Sequence, residues 1–181
     1  MTRFAALVAA GLALGLPAGA VASVAEPVAG CLPDGGGRLL MDISGDFDAA
    51  LDWPNEGTRC EGGPRPRGDA LRLMFSRDDD GLLVVIGITG LARGATGEGM
   101  LANVTLVRQG LGRFYGTLGA DACIVTVVEN AAVAGLADAW RVSGQGYCAA
   151  PIEAIAREGE VRIAPFEFTG LAFWPDEETE D

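Results

Sequence analysis

The stretch ALRLMFSRDDDGLLVVIGITG, residues 70–90, predicts the fold class more directly than any other part of the chain. Two apolar runs, 70–76 and 82–90, flank the segment Arg77-Asp78-Asp79-Asp80-Gly81, whose Asp-Gly pair tolerates the positive φ of a tight turn. This pattern predicts an antiparallel hairpin. Because residues 82–88 are apolar at every position, we expect the second run to be a central strand covered on both faces.

Short apolar runs punctuated by glycine continue on both sides of this hairpin, and 27 of the 181 residues are Gly. From residue 39 to residue 53, apolar and acidic residues alternate, which predicts a half-buried strand or strand pair bent at Gly45. Residues 53–69 contain Pro54, Gly62-Gly63-Pro64 and Pro66 and predict a loop. Further strands are predicted at 101–108, 113–118, 123–128, 140–147 and 160–174.

Two local features complete the fold prediction. The last strand changes phase at Ala164-Pro165, which predicts a bulge or an edge position. Residues 151–158 predict one short helix, because proline suits a first turn and Gly159 can end the helix. We therefore expect an all-β fold, an antiparallel β-sandwich or flattened barrel of about eight or nine strands with one short helix.

The N-terminus has the features of a secretory signal peptide over residues 1–22. Arg3 supplies the positive charge, residues 4–16 the apolar run and Ala20-Val21-Ala22 the small-residue cleavage site. The apolar run is too short for a transmembrane span, since a helix of this length rises only about 20 Å against a hydrocarbon core of about 30 Å. We expect a periplasmic or secreted protein with one disulfide-stabilised β-domain over 23–175 and an acidic disordered tail over 176–181.

Cysteine content supports an exported protein. Four cysteines in an exported chain indicate two disulfides, and we favour the local pairs Cys31 with Cys60 and Cys123 with Cys148. Each pair closes a loop whose constraint is worth about 3.5 kcal/mol in the chain-entropy model. A metal site is the alternative, but the sequence has neither C-x-x-C spacing nor a histidine.

A second alternative concerns Cys31 alone. Val28-Ala29-Gly30-Cys31 resembles a bacterial lipobox, in which the cysteine would carry a lipid anchor. Fourteen residues separate Leu16 from Cys31, and Glu26-Pro27 interrupts them, whereas a lipobox adjoins the apolar run. Lipidation would also leave an odd number of cysteines. The soluble mature form is therefore favoured over a lipoprotein.

Charge composition excludes several function classes. The chain has 13 basic and 25 acidic residues, a formal net charge of −12, and every basic residue is Arg. Without His there is no Ser-His-Asp or Cys-His catalysis, and without Lys there is no Schiff base or P-loop lysine. The negative charge disfavours nucleic acids and anionic lipid surfaces. The bias toward Ala, Gly and Arg indicates a GC-rich bacterium.

Several residue sets offer candidate chemistry, although an ordinary structural or solvent-facing role explains each of them better. Acidic residues that alternate along one strand suggest a calcium site, and an acidic turn follows at Asp78-Asp79-Asp80. The stripe consists of Asp42, Asp46, Asp48 and Asp52. Paired carboxylates suggest glycoside hydrolysis. The available glutamates are Glu98, Glu129, Glu153, Glu158, Glu160 and Glu167. Aromatic side chains suggest carbohydrate stacking. They are Trp53, Tyr115, Trp140, Tyr147 and Trp174.

None of these sets has the spacing of a defined site, and Gly63-Pro64-Arg65-Pro66-Arg67 is typical of a stiff exposed loop. We therefore expect no catalytic residues, no metal ligands and no cofactor. The sequence favours an exported bacterial β-domain that is non-catalytic and binds a protein or carbohydrate partner through its surface. The alternatives are a small hydrolase with a carboxylate pair and a calcium- or carbohydrate-binding module.

Overall fold

A computed structural model describes residues 30–65, 70–117 and 122–175. Over these ranges the chain forms twelve β-strands and no α-helix. The strands are β1 (Arg38–Gly45), β2 (Ala49–Pro54), β3 (Arg59–Pro64), β4 (Ala70–Ser76), β5 (Leu82–Thr89), β6 (Gly97–Arg108), β7 (Arg113–Gly116), β8 (Cys123–Ala132), β9 (Ala139–Cys148), β10 (Ile152–Glu153), β11 (Glu160–Ile163) and β12 (Phe166–Phe173). The predicted signal peptide and acidic tail lie outside the described residues.

All twelve strands belong to one open antiparallel sheet in the order β10-β11-β1-β12-β9-β8-β6-β5-β4-β3, with β2 added to β1 and β7 to β6. The all-β antiparallel class is confirmed, with more strands than expected. The finer choice between a sandwich and a flattened barrel is not confirmed. The sheet curls so that β3 lies beside the end of β12: a Cβ atom at Gly62 would lie 3.1 Å from the carbonyl oxygen of Leu171.

The predicted hairpin is confirmed, with β4 and β5 paired from Ala70 opposite Thr89 to Ser76 opposite Leu83. Strand β5 is central, because β6 pairs along its other edge. Its even-numbered residues from Leu82 to Ile88 are buried, whereas Leu83 and Val85 on the opposite face are half-buried. Only one face of this strand is therefore fully covered.

The alternation between residues 39 and 53 belongs to a strand pair, β1 and β2, in which Leu39 lies opposite Trp53 and Ile43 opposite Ala49. Gly45 has a φ of +123°, a conformation that side chains disfavour, and the chain turns there. The predicted pair and its bend are both confirmed. The odd-numbered residues of both strands are directed toward the core.

The predicted helix at 151–158 is wrong. Ile152 pairs with Val161 and Glu153 with Glu160, so the segment forms β10 and a turn. Ala156 has a φ of +64°, which no right-handed helix contains. A helix this short is marginal in water, and the buried side chain of Ile152 is accommodated by strand pairing instead.

The predicted loop at 53–69 is also wrong in part, because β2 continues to Pro54 and residues 59–64 form β3 against β4. The glycines that predicted a loop serve a close approach. A Cβ atom at Gly63 would lie 3.0 Å from the carbonyl oxygen of Phe173. Proline is tolerated in such an edge strand. Residues 66–69 lie outside the described ranges.

The phase change at Ala164-Pro165 is a bulge, as predicted. Ile163 lies opposite Ile43 in β11 and Glu167 lies opposite Leu40 in β12, so the register along β1 slips by one residue. Pro165 has no N–H to donate to the ladder. The alternative of an edge position is wrong, because β12 pairs with β1 on one side and β9 on the other.

Glycine and phenylalanine share the inner face of β9 and β12. Phe166 lies opposite Gly146, and Phe168 lies opposite Gly144. A Cβ atom at Gly144 would lie 2.7 Å from Cζ of Phe168, and one at Gly146 would lie 2.6 Å from Cζ of Phe166. The rings occupy the space that side chains of β9 would otherwise fill. This packing holds the two strands in place and leaves their other face to solvent.

Two disulfides join the pairs that the sequence favoured, Cys31 with Cys60 and Cys123 with Cys148. Cys123 and Cys148 lie directly opposite each other in β8 and β9. Cys31 instead fastens the segment before β1 to β3, and the side-chain oxygen of Asn55 accepts hydrogen bonds from the backbone N–H groups of Leu32 and Gly37 at 2.7 and 2.9 Å. Within the described ranges, no helix is long and apolar enough to cross a membrane.

Candidate functional site

The outer face of β8, β9, β12 and β1 carries a continuous groove, which we call the β9–β12 groove. It consists of two cavities of about 330 and 290 Å³ that share Gln145 and Glu167. The first is also lined by Arg38, Val128, Ser143, Gly144, Phe168 and Thr169, and the second by Ile124, Thr126, Gly146, Tyr147, Pro165 and Phe166. Each volume lies near the lower end of the range found for ligand pockets.

A row of hydroxyl groups crosses the first cavity. Thr169 lies opposite both Arg38 and Ser143, and Ser143 lies opposite Glu129. The Thr169 hydroxyl donates to Ser143 Oγ at 3.1 Å, and the Ser143 hydroxyl donates to Glu129 Oε2 at 3.2 Å. Because the Glu129 carboxylate only accepts, the Ser143 hydroxyl donates to it, and the Thr169 hydroxyl donates in turn to Ser143. The lone pairs of Thr169 Oγ1 remain available to accept a hydrogen bond.

A bulge in β8 forms one wall of this cavity. The register of β8 against β9 shifts between Val127 and Glu129, so Val128 and Glu129 both face outward. Val128 is 65% exposed, and Asn130 returns to the interior. The Asn130 amide donates to the carbonyl oxygens of Ala92 and Ala95, both at 2.9 Å, which holds the strand beyond the bulge. Bulges commonly redirect side chains in this way.

Tyr147 borders the second cavity and remains 49% exposed. It lies opposite Ile124, one residue inside the Cys123–Cys148 disulfide. The next pair along, Thr126 opposite Gln145, continues the polar lining toward Glu167. The second cavity thus combines an aromatic side chain at its border with hydroxyl, amide and carboxylate groups along its floor.

These residues sit on paired strands that a disulfide and an inner layer of aromatic rings hold in place. The hydroxyl, amide and carboxylate groups of the groove donate and accept hydrogen bonds, and Val128 and Tyr147 provide apolar surface. Such an arrangement can bind an elongated polar ligand with little rearrangement. Sequence reasoning missed the groove, although Ser143, Gln145 and Tyr147 alternate along one strand and could have indicated its polar face.

The acidic stripe does not form a cluster. Asp52 pairs with Arg38 at 3.2 Å, and Asp48 accepts a hydrogen bond from the backbone N–H of Gly45 at 3.4 Å. Asp42 is exposed on β1. Across the described ranges, no three Asp, Glu, Cys or His residues are grouped as a metal site. The sequence pattern brought these carboxylates to one side of a strand but did not make them converge.

Asp46, the remaining residue of the stripe, belongs to a different network. Its Oδ2 accepts hydrogen bonds from Arg157 Nη2 at 2.7 Å and from the Tyr115 hydroxyl at 3.2 Å. Arg157 also donates to the Tyr115 hydroxyl at 2.7 Å. Tyr115 is fully buried and packs against Phe47 with ring centroids 5.4 Å apart. The network ties the turns after β1 and β10 to β7, which is a structural role.

The six candidate glutamates are distributed over the molecule. Glu98, Glu153, Glu158 and Glu160 are exposed outside the groove. Glu129 and Glu167 face the same side of the sheet, on β8 and β12, with β9 between them. Adjacent strands lie about 4.8 Å apart and alternate residues about 6.7 Å apart along a strand, so the two backbones are separated by roughly 12 Å.

The aromatic residues do not form a stacking platform. Trp53, Tyr115 and Trp174 are buried, and Trp140 is half-buried with its ring edge-on to Trp174. Tyr147 is the most exposed member of the set. A stiff exposed loop was predicted for residues 63–67. Arg65 is exposed and lines a separate cavity, and Pro66 and Arg67 lie outside the described residues.

Comparisons with protein-family models, with curated proteins and with solved structures found no match to this chain. The chemistry of the groove and its position on the sheet are therefore the basis for a functional assignment.

Proposed function

We propose that this protein is an exported, non-catalytic β-domain of a bacterium and that it binds an oligosaccharide along the β9–β12 groove. The observation that carries the proposal is the continuous outer-face groove in which hydroxyl, amide and carboxylate groups follow one another between the exposed side chains of Val128 and Tyr147. It is an open groove on rigid strands, and it is long enough to cross four of them.

The lining chemistry favours a sugar chain. Vicinal hydroxyl groups both donate and accept hydrogen bonds, and the side-chain amide of Gln145 does the same. The Thr169 hydroxyl donates its hydrogen to Ser143, so its oxygen is left as an acceptor for a sugar hydroxyl. Glu167 is acceptor-only when ionised, and Arg38 is donor-only. A tyrosine face supplies apolar contact for the C–H surface of a sugar ring while keeping its hydroxyl wet.

Export is supported by two features. Two disulfides are compatible with an oxidising extracellular or periplasmic location. Residues 1–22 carry the pattern of a secretory signal. Cys31 is bonded to Cys60, and a sulfur in a disulfide cannot also carry a thioether-linked lipid. We therefore propose a form released from its signal peptide rather than a lipid-anchored one.

The second candidate is a glycoside hydrolase that uses Glu129 and Glu167. The observation in its favour is that both carboxylates lie on the groove side of the sheet. Against it, Glu129 lies outside the lining of both cavities, and its carboxylate already accepts a hydrogen bond from Ser143. Binding without turnover is therefore the favoured function.

The test is an NMR titration of the ¹⁵N-labelled mature protein with hexasaccharides of cellulose, xylan, chitin and α-glucan. We expect one of them to shift amide resonances of residues 124–128, 143–147 and 165–169. Tyr147→Ala and Gln145→Ala should each weaken that binding about tenfold, a change of about 1.4 kcal/mol. Phe114→Ala is the matched control, because Phe114 is an exposed aromatic residue on β7, away from the groove.

The same samples separate the two candidates. Reducing-end assays on the bound hexasaccharide should detect no hydrolysis, and Glu167→Gln should not change that result. Turnover that Glu167→Gln abolishes would establish the hydrolase instead. Failure of all four sugars to shift the groove residues, or shifts confined to another face, would contradict the oligosaccharide proposal.

A further inference from the structure

A second groove lies on the other side of β12, where β3 and β4 approach its C-terminal end. Its volume is about 430 Å³, and we call it the arginine groove. Arg65 and Arg72 line it together with Glu61, Met74 and Phe173. Gly62 and Gly63 form its floor, because their missing side chains let β3 approach the carbonyl oxygens of Leu171 and Phe173.

The arginines of this groove differ from most others in the molecule. Within the described ranges, ion pairs to described carboxylates are made by Arg38, Arg59, Arg77, Arg141, Arg157 and Arg162. Arg65 and Arg72 make no ion pair with any carboxylate in the described ranges. Among the described residues that line the groove, these two guanidinium groups outnumber the single carboxylate of Glu61, which makes the groove locally positive in a chain with a net charge of −12.

Apolar side chains border this positive site. Phe173 is 43% exposed, and Met74 is half-buried beside Arg72. Arginine recognises carboxylates through paired, parallel hydrogen bonds, and the groove presents two guanidinium groups to one ligand. A segment rich in carboxylates is the ligand chemistry that fits.

We propose that the arginine groove binds a carboxylate-rich peptide segment and that residues 176–181 of this chain, DEETED, are its occupant. That segment has five carboxylates in six residues and begins three positions after Phe173, which itself lines the groove. Six extended residues reach about 20 Å, enough to cross the groove. A short tether gives an effective concentration in the millimolar range, so even weak charge-assisted bonds are populated.

This docking is independent of the oligosaccharide proposal, since the two grooves share no lining residue. It gives the acidic segment a defined place on the domain and makes the arginine groove available to another acidic ligand only when the segment is displaced. Salt weakens the docking, because raising the ionic strength from about 0.1 M to about 1 M shortens the Debye length from about 10 Å to about 3 Å.

The first test uses the full mature chain and the side-chain ¹⁵Nε resonances of arginine. A variant in which the five acids of 176–181 become amides (Asp176→Asn, Glu177→Gln, Glu178→Gln, Glu180→Gln and Asp181→Asn) should shift the Nε signals of Arg65 and Arg72. The same signals should move in the same direction when salt is raised. Arg113 is the matched control, an exposed arginine on β7 that pairs with no carboxylate in the described ranges, and its signal should stay in place.

The second test measures access to the segment with a glutamate-specific protease. Arg65→Gln with Arg72→Gln should speed cleavage after Glu177, Glu178 and Glu180 about tenfold, and Arg113→Gln should not. All these substitutions are on the surface, so the amide spectrum serves as the check that the fold is retained. Unchanged Nε signals and unchanged cleavage would overturn the proposal. Shifts that depend on protein concentration would assign the groove to a second copy of the chain and would overturn the intramolecular docking.

Discussion

The two faces of the β9–β12 strand pair show how one backbone serves two purposes. On the inner face, the rings of Phe166 and Phe168 fill the space above Gly146 and Gly144, and a single added carbon would collide with them. On the outer face, Gln145 and Glu167 are exposed and share a groove. Residues next to each other in sequence thus experience opposite constraints, because successive side chains of a strand point to opposite faces.

The two faces therefore tolerate substitution to different extents. Close-packed interiors respond to one methylene group, whereas surface substitutions usually change the free energy of unfolding by less than about 0.5 kcal/mol. Inner-face variants should therefore change stability, and outer-face variants should change binding while leaving stability intact.

The largest change in the free energy of unfolding is expected from Phe168→Ala. Removing a buried ring leaves a cavity above Gly144, because glycine has no side chain to fill it, and the free energy of unfolding should fall by about 3–5 kcal/mol. Urea denaturation of the mature protein measures this change. Glu167→Ala, one residue away on the outer face, is the control and should change the value by less than about 0.5 kcal/mol. Equal losses from the two variants would show that the inner and outer faces do not differ in their tolerance of substitution.

A smaller effect is expected from Gly146→Ala. The new Cβ would lie 2.6 Å from Cζ of Phe166 and 2.8 Å from the carbonyl oxygen of Ile124, so we expect a loss of about 1–3 kcal/mol from overpacking. Combining Gly146→Ala with Phe166→Leu separates the two contacts, because the smaller side chain relieves the contact with the Phe166 ring but not the contact with the Ile124 carbonyl oxygen. A double-mutant cycle in urea should give a favourable coupling energy, and strict additivity would show that the ring is not what excludes a side chain at position 146.

The smallest effect concerns the tip of the β4–β5 hairpin, which lies on neither face of β9–β12. Arg77 donates to both carboxylate oxygens of Asp79, at 3.1 and 3.2 Å, and this bonding holds the pKa of Asp79 below its ordinary value of 3.8. Since the pKa is lower in the folded state, the pair stabilises the fold above the unfolded pKa, and that contribution disappears as the pH falls through the folded pKa.

Asp79→Asn tests this pair. The variant should differ slightly from the parent protein in unfolding free energy at neutral pH, and the two should converge as the pH falls through the lowered pKa of Asp79, where the parent carboxylate becomes protonated. A ¹³C carboxyl titration of Asp79 measures the pKa directly. A pKa at or above 3.8 would show that Arg77 does not favour the ionised form.

The strand pattern was largely predictable from local sequence. The β4–β5 hairpin follows from an Asp-Gly turn between two apolar runs, and the bulge before β12 follows from the phase change at Pro165. Predictions failed where the pattern was ambiguous. Gly62 and Gly63 suggested a loop but lie in a strand that approaches β12, and Ile152 suggested a helix face but pairs with Val161.

Candidate sites were less predictable than strands. The stripe from Asp42 to Asp52 is real as a pattern, yet its members bond to different partners: Asp46 to Arg157, which lies 111 positions away, and Asp52 to Arg38. The β9–β12 groove draws residues from four strands separated along the chain by up to 131 positions, from Arg38 to Thr169. No window of sequence contains both sides of such a site.

The all-β class, the alternation that separates core from surface, the strong negative charge and the exclusion of lysine and histidine chemistry all follow from the order of the amino acids alone. The order of the strands, with β12 between β1 and β9, and the chain of hydrogen bonds from Thr169 through Ser143 to Glu129 arise only in the folded protein. Periodicity is a local property that depends on where side chains point along one strand. Strand order and register are long-range properties, because they depend on which distant segments bury each other's apolar faces and satisfy each other's backbone hydrogen bonds.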